Sequence, residues 1–238
     1  METQVRVAER SAISTSVEAS LDSYLDGVAD ASMIFRSAVD AYLHDGSEGA
    51  CWQLARRIAG LVRVLDDMQQ TLEVRHAAQS AIDGVSSAML EPLTGLSRIL
   101  KDIKRQITGF AIESGFTLSG RRMPAHLSAD VQELTDEVCA AIDALVEACR
   151  PGRQDWHRSA AGDGKRGVGW HEAQADRLST ALLRRILADE ALHVEARLLL
   201  AQFVEEIDRV ADQAERVASE LHTGSLSGNS MAVVGYSH

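Results

Sequence analysis

Five carboxylates near the C-terminal end of the 238-residue chain fall at spacings that could hold a cation. Glu172 and Asp176 are four residues apart, and Asp208, Asp212 and Glu215 follow one another at steps of four and three. On a helix these steps stack side chains on one face. Like charges so placed repel one another when nothing binds them, so two such rows on neighbouring helices invite a positive ion. Carboxylate oxygens suit a divalent or ferric metal ion (Mg, Mn, Ca or Fe), and five of them could hold a multinuclear iron cluster. The absence of a nearby Cys disfavours zinc and copper. The competing reading is a solvated acidic face in which Arg177 and Arg209 form exposed ion pairs worth ~0–1 kcal/mol each.

Other patterns carry less. Glu73-Val-Arg-His76 and Glu190-Ala-Leu-His193 have the Glu-x-x-His spacing of ferritin-like di-iron bundles. That alternative makes the chain an iron-handling enzyme, and it requires both pairs in mid-helix facing a buried centre. Gly162-Asp-Gly-Lys-Arg-Gly167 fails as a phosphate loop, because Ser159 stands where a glycine is needed and Arg166 where Ser or Thr is needed. The surrounding basic segment, with Arg153, Arg158, Lys165 and Arg166, reads as an exposed loop anchored by Trp156 and Trp170 that could touch phosphate or an acidic partner. Cys51, Cys139 and Cys149 form no CxxC pair and read as core fillers. No nucleophile set is evident from spacing, so the chain is read as a non-enzyme, or else as a purely structural scaffold.

The elements that must position the acids are helices. Apolar residues recur at steps of three and four on six segments. The first runs from about 17 to 44 with Leu21, Leu25, Val28, Ser32, Phe35, Val39 and Tyr42. The second, about 50 to 79, carries Leu54, Ile58, Leu61, Leu65, Met68 and Leu72. The third, about 82 to 113, carries Met89, Leu93, Leu96, Leu100, Ile103, Ile107 and Phe110, and Pro92 predicts either a kink there or a helix that starts there. The fourth is expected from a Ser128 cap, with Val131, Leu134, Val138, Ala141, Leu145 and Ala148. The fifth and sixth must separate between Ala188 and Val194, since a continuous helix would bring Asp189 and His193 onto the apolar seam. The seams are Leu178, Leu182 and Ile186, then Leu200, Val204, Ile207, Ala211, Ala214, Ala218 and Leu221. The fold class expected is all-α: six long helices as two tandem three-helix bundles, with an internal duplication to be tested. Residues 1–16 are expected to form a mobile arm, 17–113 the first half, 126–222 the second, and 223–238 a disordered tail.

Composition agrees with this class and excludes others. The chain is 45% hydrophobic, 4% aromatic and has three prolines, which favours helices over sheet. A net charge of −11 argues against a nucleic-acid binder, which needs clustered Lys and Arg. No run approaches the ~18–20 apolar residues of a membrane span, and the start METQVRVAER lacks a signal-peptide core, so a cytoplasmic placement is expected.

Glu172-Ala-Gln-Ala-Asp176 and Asp208-Arg-Val-Ala-Asp212-Gln-Ala-Glu215, in register on adjacent seams, resemble the repeated E/D-x-x-x-D signature of the PhoU-like family. The likeness is to its branch of accessory proteins of Pit-type phosphate transporters. It implies a pair of three-helix bundles, metal clusters on the acidic rows, and regulation of phosphate transport by docking to a membrane permease at the inner face of the membrane. The coarse pattern covers about 20–222 and the close match only the last fifty or so residues. The first half departs from it: Val62 and Asp66 keep one acid of the pair, and Lys101, Arg105 and Thr108 stand where acids are expected. Metal binding is therefore expected in the second half alone. The sequence leaves open whether the chain forms a homo-oligomer.

Overall fold

The computed structural model describes the backbone of residues 2–47, 50–83, 90–112, 124–150 and 167–231, and the side chains of these except 2–16, 78–83, 91 and 223–231. Among the described residues six helices follow in order: α1 (Glu2–Asp45), α2 (Ala50–Asp83), α3 (Glu91–Ile112), α4 (Ala125–Ala148), α5 (Val168–Ala188) and α6 (Val194–Met231). No strand occurs among the described residues. The all-α expectation holds, and no helix is long and apolar enough to cross a membrane.

Each seam read from the sequence faces inward. On α1 all seven of its residues are buried, including Ser32 at 1% exposure. On α4 and α6 every seam residue is buried, while on α2 Leu54, Leu61 and Met68 are only partly covered. Within each half, every helix packs on the other two: α1, α2 and α3 form one triad, and α4, α5 and α6 the other. The triads meet through α1 against α4 and α3 against α6, and a single hydrophobic cluster runs through all six helices.

Both contacts between the halves are antiparallel. Along α1 and α4, Cys139 donates its thiol to the Ser32 carbonyl at 3.6 Å, Arg36 pairs with Asp136 at 2.8 Å, and Gln132 donates to Asp40 at 2.8 Å. Along α3 and α6, Gly95 lies against Val217 and Phe110 against Phe203. Gly95 is there for space, because a Cβ on it would sit 2.5 Å from a Val217 methyl.

The helix ends have local causes. Gly46 closes α1 with φ of 74°, a left-handed conformation suited to glycine, and its N–H reaches the Tyr42 carbonyl at 2.9 Å. Pro92 is the second residue of α3, where its missing N–H costs nothing, so the helix starts at the proline instead of kinking about it. The expected Ser128 cap is corrected: α4 begins at Ala125 behind Pro124, whose φ of −58° leads into the helix without a side-chain cap. The backbone of α1 starts at Glu2 and that of α6 ends at Met231, beyond the limits expected from apolar periodicity. Residues 2–16 hold no Gly or Pro, so nothing in their sequence stops the helix once it is nucleated. Met89 and the basic segment 151–166 lie outside the described residues.

Candidate metal site

The two acidic rows are set by α5 and α6, which pack side by side and separate between Ala188 and Val194, as the seam requires. Glu172 and Asp176 lie on α5 beside buried Ala175, Ser179 and Leu182; Asp208, Asp212 and Glu215 lie on α6 beside buried Ile207, Ala211 and Ala214. Glu172, Asp212 and Glu215 line a groove of about 500 Å³ together with Arg216.

The five carboxylates feel one another. Glu172 is held above the usual carboxylate range first by burial and then by the charges of Glu215, Asp212, Asp176 and Asp208. Burial also leads the upward shift of Asp212, followed by Asp176, with Arg216 and Arg209 opposing it. Asp208 is pushed up to about 6, mainly by burial, with Asp212 and Asp176 adding to the shift. A bond from Ser179 Oγ to Asp208 Oδ2 at 2.7 Å opposes that rise. The other oxygen, Oδ1, is buried without a hydrogen-bond partner. A buried carboxylate oxygen left unpaired is costly, and a cation or a proton would relieve it.

Of the arginines in the competing reading, Arg209 acts on the row through its charge on Asp212 but makes its direct ion pair elsewhere. Arg209 reaches Glu206 at 3.1 Å instead of the row. As the side chains stand, no group of three or more His, Cys, Asp or Glu among the described residues is gathered to hold a metal ion. The donor chemistry therefore fits a hard cation, with an orphaned oxygen at its buried end, while the set itself is open.

Ser179 was not singled out by sequence reasoning. It continues the α5 row one turn beyond Asp176, and extending that row by three residues would have found it. The Glu-x-x-His pairs do not converge on a buried centre: Glu190 and His193 are exposed in the turn between α5 and α6, and Glu73 is exposed on α2. The three cysteines are free, with Cys51 and Cys139 buried; burial pushes the Cys139 thiol up to about 11 and Cys149 to about 12. On α3, Arg105 does not await a ligand. Its guanidinium spans the halves to Glu206 at 3.0 Å and pairs with Asp102 at 3.6 Å, while Lys101 is exposed.

The molecule is thus a pair of packed three-helix bundles with an acidic groove on its second half. No protein-family model matches the chain, and no curated protein matches it. Solved structures share its fold. A PhoU-like phosphate regulatory protein from Shewanella oneidensis MR-1 is 18% identical, the match covering 87% of this chain and 94% of that one with a TM-score of 0.67. A PhoU-like protein structure from the same organism is 17% identical with the same coverage and TM-score. PhoU from Pseudomonas aeruginosa is 17% identical over 89% of this chain and 96% of its own, with a TM-score of 0.55. At these identities the likeness is one of fold.

Proposed function

We propose that the chain is a PhoU-like regulator of inorganic phosphate homeostasis that acts through contact with a partner instead of by catalysis. Its partner in this reading is a membrane phosphate transporter of the Pit type, met at the cytoplasmic face. The observation that carries the reading is the likeness in fold, over 87% of the chain, to a phosphate regulatory protein. The paired acid rows of the sequence point the same way.

Glu172, Asp176, Asp208, Asp212 and Glu215 would hold a hard cation or cluster in the second half. The bound charge would cancel the repulsion among the five acids and tie α5 to α6. Asp208 contributes the orphaned Oδ1, and Ser179 orients its other oxygen. The protein's own part is to fix the two rows on packed helices, so that a partner meets one rigid groove.

Metal content of the purified chain after reconstitution with iron, manganese or magnesium, compared with an Asp208→Ala/Asp212→Ala double variant, tests the site. The expected result is bound metal in the parent and at least about a tenfold loss of affinity in the variant. Equal metal content in the two would sink the site. The regulatory reading is tested separately, by phosphate uptake in cells with and without the gene and by co-purification with a phosphate permease. Unchanged uptake would count against it whatever the metal result.

A further inference from the structure

The helix α2 carries apolar residues on its outside as well as on its buried seam. It packs on α1 and α3 and buries Ile58, Val62, Leu65 and Leu72 on its inner side. On the outer side Trp52, Arg56, Gly60, Arg63, Asp67 and Val74 fall at steps of four, four, three, four and seven. Such steps make one stripe along a helix, and Val64 lies beside its middle. Trp52, Val64 and Val74 are 54%, 55% and 64% exposed. A Cβ added to Gly60 would meet nothing within 4 Å, so a second backbone can come close there.

The charges on this face are ordered along the helix. Arg56, Arg57 and Arg63 precede Val64, and Asp66, Asp67 and Glu73 follow it, all of them exposed. None of the six makes an ion pair among the described residues. Elsewhere Arg36, Arg105, Arg150 and Arg185 are all paired. Between Trp52 and Val74 the bases balance the acids, so two copies can meet there without the repulsion that a net charge of −11 imposes on the rest of the surface.

We infer that α2 pairs with α2 of a second copy, antiparallel, across a two-fold axis that passes beside Val64. Three bases followed by three acids complement themselves only when the second helix is reversed; a parallel pair sets like charge on like. With Val64 opposite its own copy, Arg63 lies within a turn of Asp67 of the second copy, and Trp52 within a turn of its Val74. The axis repeats each contact. Both pairs fall on the same edge of the stripe, as they must when antiparallel helices bring like edges together. Tryptophan is among the residues that most often anchor an interface, and Gly60 lets the two helices close on it. The ordered charges select a second copy over an unrelated helix, whose charges have no reason to run in the opposite sense. One pair of helices is a small interface, so the association depends on concentration and weakens with salt.

The face holds no part of the acidic rows on α5 and α6, so the pairing is tested in chelator, where no metal can bridge two copies. In sedimentation equilibrium the full chain should rise from the monomer mass to twice that mass as concentration increases. Arg63→Asp sets four acids around the axis and should weaken the dimer at least about tenfold. The exchange Arg63→Asp/Asp67→Arg restores opposite charges and should recover it. The register is read by mild oxidation: Val64→Cys should link two copies, whereas Val74→Cys, which faces Trp52 and not itself, should not. The parent is the control for its own three cysteines, and circular dichroism checks that each variant keeps its helices. A chain that stays monomeric at every concentration, a dimer as strong in Arg63→Asp as in the parent, or cross-linking through Val74→Cys but not Val64→Cys would each overturn the inference.

Discussion

Asp208, on the same α6 row as the groove-lining Asp212 and Glu215, is the acid whose environment perturbs it most. Burial raises its carboxyl to about 6, and a folded-state value above the unfolded one means that the native state holds the proton more tightly. Its contribution to stability is therefore fully present below the unfolded value near ~4 and is lost as the pH rises through about 6. We expect the metal-free protein to melt at higher temperature at pH 5 than at pH 7, and Asp208→Asn to flatten that dependence and raise the melting temperature at pH 7. A shift of ~2–4 °C corresponds to about 1 kcal/mol for a chain of this size. A parent protein that is more stable at pH 7 than at pH 5, with the difference unchanged in Asp208→Asn, would contradict this. Cation binding should run the other way, weakening as the pH falls through the same window, because the ligand must be deprotonated. The acids were legible in the sequence because spacing alone puts them on one face. The depth of Asp208 was not, since it depends on how closely α5 sits against α6.

At the scale of elements, two glycines set how near the helices approach. A Cβ on Gly95 would fall 2.5 Å and 2.8 Å from the two Val217 methyls, and one on Gly27 would fall 2.5 Å from a Leu65 methyl. Valine is stiff at χ1 and cannot swing aside. Gly95→Ala should therefore destabilise the fold by ~1–3 kcal/mol despite the ~1 kcal/mol that alanine gains over glycine inside a helix. Combining it with Val217→Ala should recover part of that loss, so that the double variant is more stable than the sum of the single changes in urea unfolding. Strict additivity would mean that the two residues do not touch. The helices themselves were readable from apolar periodicity, and so was the break between Ala188 and Val194, because Asp189 and His193 cannot occupy a buried seam. The start of α4 was not, since Pro124 begins the helix without the capping side chain for which sequence reasoning searches. The length of α1 was missed because the apolar pattern that announces a packed face is absent from residues 2–16, whereas their backbone is helical all the same.

The described residues form one hydrophobic cluster, not two. Unfolding should accordingly be a single cooperative event, even though the helices divide cleanly into triads. Trp52 on α2 and Trp170 on α5 place a fluorophore in each half. Variants retaining only one or the other should report the same denaturation midpoint, and midpoints that separate would show that the halves fold independently. Salt bridges support the union at its edge: Arg150, just past α4, reaches Asp26 at 2.7 Å and Asp22 at 3.6 Å on α1.

The antiparallel pairing of α1 with α4 and of α3 with α6 has a further meaning. When the first and fourth helices meet, and the third and sixth, each half presents the same faces to its neighbour, as two subunits related by a two-fold axis do. The chain has the geometry of a homodimer joined end to end. A true homodimer must carry every substitution twice, whereas a fused one can change one copy and leave the other alone. The two faces differ in this way: in the sequence pattern Asp208, Asp212 and Glu215 on α6 correspond to Lys101, Arg105 and Thr108 on α3, and Arg105 pairs with Glu206 of the opposite half. The α3 face takes part in the joint between the halves, and the α6 row is the one proposed to hold a ligand.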